Sequence, residues 1–241
     1  MILCIDVGNT RIKWCIFDGD TVTARGALAT RAISSTLNPW AGCPDGVVEA
    51  RICNVAGPGV AQAINASLLG RYGVCPRIAC VSASAGGVQC GYLQPSALGV
   101  DRWLAMLAGY QRVSTTVMVV DAGSAMTIDL VASDGVHCGG YILPGLRMLR
   151  DALSIGTHDV QVPIAQVSDL LSPALTTEGA VNKGCVLSCI ATIERLYFVQ
   201  PITLIITGGD AKLLHTHLQV PLVLAEDLVL EGLMLSHATF Q

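Results

Sequence analysis

Charge is scarce in this chain of 241 residues: only 13% are Asp, Glu, Lys or Arg, against a hydrophobic share of 52%. A chain so apolar buries a large core, which argues against intrinsic disorder. Basic runs are missing as well. With a net charge of −4 and a pI near 5.6, the chain lacks the electrostatic footprint of nucleic-acid binding, so no nucleic-acid partner is expected. Mean hydropathy is high at +0.57, yet charges, glycines or prolines interrupt every apolar stretch well short of the roughly 18 residues a membrane helix needs. No membrane association is expected. The opening residues lack the basic segment of a secretory signal, so the expected location is cytoplasmic. The ten cysteines include no CxxC pair and no zinc-like His spacing. They read as reduced thiols, mostly small core residues. An anionic ligand must therefore be held locally, by backbone amides, a metal and a few cations.

What is present is a repeat. MILCIDVGNT, from Met1 to Thr10, and MVVDAGSA, from Met118 to Ala125, are each an apolar run ending in Asp, one residue, Gly and then small or polar residues. Each reads as a strand, a tight glycine turn and a return strand. Aligning Asp6 with Asp121 places Gly8 on Gly123 and Asn9 on Ser124, and the later turns at Asp18-Gly19 and Asp134-Gly135 fall within one residue of the same register. The chain therefore reads as two duplicated lobes, 1–113 and 114–241, with a boundary near Ser114.

The rest of the pattern is α/β. Strands are expected over 21–29, 47–55, 77–81 and 202–206, and helices over 59–72, 100–110, 146–153, 178–198, 211–218 and 227–237. Pro201 stops the long helix. The Gly- and Ser-rich run 82–99 reads as a loop at a cleft, 139–145 as a glycine loop permitting close backbone approach, and 155–174 as mostly loop.

Chemistry concentrates at the strand ends. A carboxylate at the end of a buried strand is costly unless paired or bound to a cation, so Asp6 and Asp121 suggest Mg²⁺, directly or through water, or another cation; capping of their own glycine turns is the alternative. Gly8, Asn9 and Thr10 would present amides and small polar groups to a phosphate. Lys13 on the return strand either reaches that phosphate or is a solvated strand lysine. Thr207-Gly208-Gly209-Asp210 turns a strand into a helix, where a nucleotide can lie against the backbone; a ligand-free tight turn is the alternative. Asp101 and Arg102 open a helix beside the cleft loop. They read as acceptor of a substrate hydroxyl proton and anchor of a substrate anion, or as a helix cap with a solvated arginine.

These residues, in this order, resemble the type III pantothenate kinases of bacteria. The resemblance runs through DVGNTRIK from Asp6 to Lys13, Tyr92 with Pro95, LGVDR from Leu98 to Arg102, DAGSAMTID from Asp121 to Asp129, GGYILPG from Gly139 to Gly145, TTEGAV from Thr176 to Val181, and TGGD from Thr207 to Asp210. It implies a two-lobed actin-like ATPase (ribonuclease H-like) fold of duplicated mixed-sheet lobes flanked by helices. It implies ATP-dependent phosphorylation of pantothenate to 4′-phosphopantothenate, the first step of coenzyme A biosynthesis, in a homodimer. Asp6, Val7, Gly8, Asn9, Thr10, Arg11, Ile12 and Lys13 would bind ATP with its Mg²⁺, joined by Ser124, Gly208 and Gly209. Asp101 would accept the hydroxyl proton. Tyr92, Gly99, Val100, Asp101, Arg102 and Thr177 would contact pantothenate, and Asp121 would hold a monovalent cation, K⁺ or NH₄⁺. At position 124 the family usually has Thr; Ser124 keeps the hydroxyl and loses a methyl. Two other readings remain: a non-catalytic regulator on the same fold, and a kinase of another small hydroxyl compound.

Overall fold

A computed structural model describes residues 1–34, 39–156, 167–200, 202–235 and 240. Pro201, half of the expected 155–174 loop (157–166) and residues 236–237 of the expected last helix lie outside these. The chain divides into two compact units: Met1–Arg112 with Asp227–Gln241, and Val113–Glu226.

In the first unit, β1 (Ile2–Val7), β2 (Arg11–Asp18), β3 (Thr21–Ala29), β4 (Glu49–Asn54) and β5 (Arg77–Ile78) form one sheet in the order β3-β2-β1-β4-β5. The three N-terminal strands are antiparallel, and β4 and β5 add in parallel. Strand alternation sorts the side chains onto two faces. Leu3, Ile5, Val7, Ile12, Trp14, Ile16 and Ile52 cluster with Ile64 and Leu68 of helix α1 (Pro58–Tyr72). Pro58 stands in the first turn of α1, and Gly73, in the left-handed region at φ 66°, ends it by donating its amide to Leu69. By register, Cys4, Asp6, Lys13, Cys15, Arg51 and Cys53 occupy the other face. Burial pushes the Cys4 thiol up to about 12 and raises Cys15 as well, so both are unreactive core fillers.

The strand expected over 77–81 is only two residues long, followed by a single bridge from Ala79 to Phe240. The loop 82–99 contains a small hairpin, β6 (Ser84–Ala85) with β7 (Val88–Gln89), and a 3₁₀ turn at Pro95–Ala97. Helix α2 (Val100–Val113) follows. Residues 102–109 of α2 are all buried, so it is a core helix enclosed on every side.

The second unit repeats the plan. Strands β8 (Val117–Ala122), β9 (Ala125–Val131) and β10 (His137–Pro144) are followed by α3 (Leu146–Gly156), α4 (Thr177–Tyr197), β11 (Thr203–Thr207), α5 (Ala211–His215) and β12 (Leu222–Leu224). Sheet order is β10-β9-β8-β11-β12, with the same orientations as in the first unit. Met118, Val120, Met126 and Ile128 pack against Val186, Cys189, Ile190 and Ile193 of α4. Two features depart from expectation: β12 has no counterpart in the sequence reading, and all of GGYILPG except its last glycine is strand rather than loop. Tyr141 pairs with Ile128 and Pro144 with Ala125. An edge strand tolerates proline, and Gly139 at φ 100° absorbs a bulge.

The last helix, α6 (Leu228–Leu235), belongs to the first unit, not to the C-terminal lobe where the sequence reading puts it. Arg51 supplies the reason. Arg51 is 1% exposed, and a buried cation needs acceptors. Nη1 donates to the carbonyls of Leu233 and Met234 at 3.1 and 3.2 Å, and Nε donates to Glu49 Oε1 at 2.8 Å. These carbonyls end α6, where the helix dipole favours a positive charge. The same hydrogen bond from Arg51 holds the Glu49 carboxyl below its ordinary value. Gly232 lets α6 lie against the backbone of Leu104, a place any Cβ would fill. No helix among the described residues is long and apolar enough to cross a membrane.

Candidate active site

In both sheets the Asp of the repeat is the next-to-last residue of the central strand. Asp6 pairs with Lys13 across β2 and with Cys53 across β4; Asp121 pairs with Thr127 across β9 and Thr207 across β11. Directly opposed residues share a sheet face, so Asp6 and Lys13 stand side by side, both half-buried. Lys13 Nζ lies 4.0 Å from Asp227 Oδ1, and Arg25 Nη1 lies 3.3 Å from the other oxygen of that carboxylate. Sequence reading missed both Arg25 and Asp227.

The first glycine turn offers a mixed set of the expected contacts. Asn9, Thr10 and Arg11 are exposed, and the Gly8 amide is occupied by the Arg11 carbonyl at 3.1 Å. Val7 and Ile12 are 0% exposed. Their side chains point into the core, so of these two residues only backbone can face a nucleotide. Strand alternation from Asp6 was the signal that separates them. Thr30, just past β3, was also missed. Its hydroxyl donates to the Gly8 carbonyl at 2.7 Å and its amide to the Thr10 carbonyl at 3.1 Å.

The segment from Tyr92 to Arg102 converges within the first unit. Gly99 accepts the Trp103 amide at 3.0 Å and so opens α2. Arg102, 6% exposed, turns its guanidinium onto Tyr92: Nη1 donates to the phenol oxygen at 3.1 Å, with the guanidinium carbon 5.8 Å from the ring centre. Asp101 is half-buried, and its Oδ1 accepts the Arg102 amide at 2.8 Å. A Cβ at Gly99 would lie 2.7 Å from that same oxygen, so glycine leaves the carboxylate room. Val100 is the first residue of α2.

In the second unit three glycine turns meet around Asp121. A Cβ on Gly208 would stand 2.5 Å from Asp121 Oδ1, and one on Gly123 would stand 3.4 Å from it. Gly145 in turn lies against the carbonyls of Gly123 and Ser124 and donates its amide to Ser124 at 3.2 Å. Ser124 and Gly209 are exposed. The Asp210 amide donates to the Ala122 carbonyl at 2.9 Å, and burial raises the Asp210 carboxyl while Arg150 draws it back. Thr177 is exposed at the first position of α4, behind the Thr176 cap that accepts the Gly179 amide at 3.1 Å. It belongs to the second unit, whereas Tyr92 and Arg102 belong to the first.

No group of three or more His, Cys, Asp or Glu among the described residues could hold a metal ion. A single carboxylate beside a lysine, such as Asp6, suits a Mg²⁺ that arrives on phosphates and keeps most of its waters. Asp121, flanked by the two threonines and the glycine backbones, offers the oxygen-rich surroundings that suit a hard cation.

The profile of a family described as Type III pantothenate kinase matches residues 2–198. A Chromohalobacter salexigens protein of that name is 40% identical over 244 residues, covering 97% of this chain and 86% of its own. One from Pseudomonas aeruginosa is 33% identical and covers 98% of both chains. Among solved structures, a Baf family chain from Campylobacter jejuni superposes with a TM-score of 0.63 at 21% identity, over 96% of this chain and 95% of its own. Component A of the (R)-2-hydroxyglutaryl-CoA dehydratase of Acidaminococcus fermentans gives 0.53 at 15% identity, over 99% and 96%. At such identities these structures establish the fold alone, which is the duplicated actin-like ATPase fold.

Proposed function

The chain belongs to the type III pantothenate kinase family, and from that premise we propose how its residues divide the work. The enzyme uses ATP to phosphorylate pantothenate, giving 4′-phosphopantothenate at the entry to coenzyme A biosynthesis. The bond that forms joins the primary hydroxyl of pantothenate to the γ-phosphorus, the bond that breaks frees ADP, and the hydroxyl proton goes to a base. Asp101 is that base. Its task is mainly to orient the hydroxyl, because the transition state of phosphoryl transfer is loose. The observation that carries this reading is the placement of Asp101 beside a buried Arg102 that is locked on Tyr92.

Asn9, Thr10, Arg11 and the backbone of the first glycine turn receive the phosphates, with Lys13 alongside Asp6. Bound Mg²⁺ would neutralise charge on the β- and γ-phosphates, and Asp6 would hold it through water. Ser124, Gly208 and Gly209 would contact the nucleotide, and Asp121 would hold K⁺ or NH₄⁺. Tyr92, Gly99, Val100, Arg102 and Thr177 bind pantothenate. The enzyme works as a homodimer in the cytoplasm; ten cysteines without a disulfide among them fit a reducing compartment.

The test is Asp101→Asn in the full chain, assayed for ADP release with MgATP, pantothenate and K⁺ or NH₄⁺. Turnover should fall by roughly 10²–10⁴, while pantothenate affinity measured by calorimetry stays within about threefold. Unchanged turnover removes Asp101 from the role of base. Wild-type protein that releases no pantothenate-dependent ADP removes the kinase assignment itself.

A further inference from the structure

The two glycine turns are tied down from equivalent places, and the ties differ. Gly145 is the first residue after β10, and its amide donates to the Ser124 carbonyl at 3.2 Å. Thr30 is the first residue after β3, and its amide donates at 3.1 Å to the carbonyl of Thr10, the residue just before β2 as Ser124 is the residue just before β9. In the second unit a side chain is excluded at this place, since a Cβ on Gly145 would meet the turn's own carbonyls. In the first unit the place is filled by a threonine whose hydroxyl adds a second bond, 2.7 Å to the Gly8 carbonyl. Thr30 is 6% exposed, so water cannot readily replace that hydroxyl.

The consequence follows from peptide geometry. In a planar trans peptide the C=O and N–H point in opposite directions. Drawing the Gly8 and Thr10 carbonyls to Thr30 turns the N–H groups of Asn9 and Arg11 away from it. Asn9, Thr10 and Arg11 are the exposed residues of the turn, so these two donors are presented where an anion can be received. Successive amides held outward form the kind of concavity that binds phosphate oxygens.

We propose that Thr30 is the positioning residue of the phosphate turn, its hydroxyl holding the backbone of residues 8–11 with the donors outward toward the ATP phosphates. The proposal rests on the reading of this turn as the phosphate-binding one. Thr30 is buried and bonded to the turn's own carbonyls, so it acts through the turn on nucleotide binding and leaves pantothenate binding alone.

Thr30→Val removes the hydroxyl at nearly constant volume, and Thr30→Ser keeps it. The full chain is titrated calorimetrically with Mg²⁺ and a non-hydrolysable ATP analogue, and steady-state constants are measured with ATP and pantothenate. T30V should weaken nucleotide binding and raise KM for ATP roughly tenfold, the effect of one well-placed hydrogen bond, with KM for pantothenate within about twofold. T30S should restore nucleotide affinity to within about twofold of wild type. A T30V protein with unchanged nucleotide affinity overturns the proposal whatever its melting temperature, as does a T30S protein as weak as T30V. Thr30→Ala, carried in parallel, removes the same hydroxyl and decides the matter if T30V does not fold. Asp6→Asn separates the two possible failures. Unchanged affinity in both T30V and D6N takes the turn out of the nucleotide site, whereas loss in D6N alone overturns only the role of Thr30.

Discussion

Gly208→Ala is the substitution whose effect the structure determines most sharply. Gly208 sits at φ 100°, and a Cβ there would lie 2.5 Å from the carbonyl carbon and oxygen of Ala122 and from Asp121 Oδ1, where ordinary contact begins at 3.4 Å. Strand β8 would have to withdraw by roughly an ångström. That strand is fixed on both sides, by β9 and β11, and its Ala122 carbonyl also accepts the Asp210 amide at 2.9 Å. Backbone strain at positive φ contributes about 1–2 kcal/mol, overpacking about 1–3, and a weakened Asp210 bond about 1. The expected destabilisation is about 3–6 kcal/mol, or a melting temperature lower by roughly 10–15 °C for a chain of this size. Because Asp121 is displaced with the strand, KM for ATP should rise at least tenfold. Gly209→Ala is the control: nothing lies within 4 Å of its missing Cβ and its φ is not positive, so stability should hold to within about 0.5 kcal/mol. Denaturant titration and steady-state kinetics of both variants make the comparison. A G208A protein as stable as wild type, or a G209A protein damaged to the same degree, would refute the steric argument.

Two further outcomes follow from pairs in the first unit. Tyr92→Phe removes the acceptor of the Arg102 hydrogen bond and with it one of the contacts that orient this buried guanidinium. KM for pantothenate should rise about tenfold with KM for ATP unchanged, as measured by varying each substrate in turn. The Glu49–Arg51 pair predicts acid sensitivity. Glu49 has its carboxyl held below the ordinary 4.5, first by the Arg51 hydrogen bond. The unfolded chain therefore takes up this proton first, so the pair's stabilisation is fully present above pH 4.5 and is lost as pH falls through the lowered folded value. Thermal melts taken between about pH 5 and 3 should show this slope in wild type and a shallower one in Glu49→Gln.

Much of this was legible because the decisive signals are local. An apolar run ending in Asp-x-Gly specifies a strand and a turn within a few residues, and it does so twice, so the duplicated sheets follow from Asp6 and Asp121. The start of α2 near residue 100, after a glycine- and serine-rich run, is equally local. What stayed hidden depends on distant partners. Thr30 reaches Gly8 across 22 residues, a bond fixed only when β2 and β3 pair in register. GGYILPG carries glycines and a proline that read as loop, and pairing along the sheet edge overrides them. The membership of α6 in the first unit turns on Arg51, a charged residue inside a strand pattern. Its burial is invisible until the acceptors 182 and 183 residues later are known.

That late pairing orders the birth of the molecule. All strands of the first sheet have been made by Ile78, yet the carbonyls that satisfy Arg51 arrive only with Leu233 and Met234. At roughly 5–20 residues per second on a ribosome, the N-terminal sheet waits some ten to thirty seconds with Arg51 paired to Glu49 and two of its carbonyl acceptors still to come. The whole second unit, closed by β12 at Leu224, is synthesised during that wait. The part of the chain made first is thus the part completed last, and a nascent chain cut short before α6 leaves the buried Arg51 without two of its carbonyl acceptors.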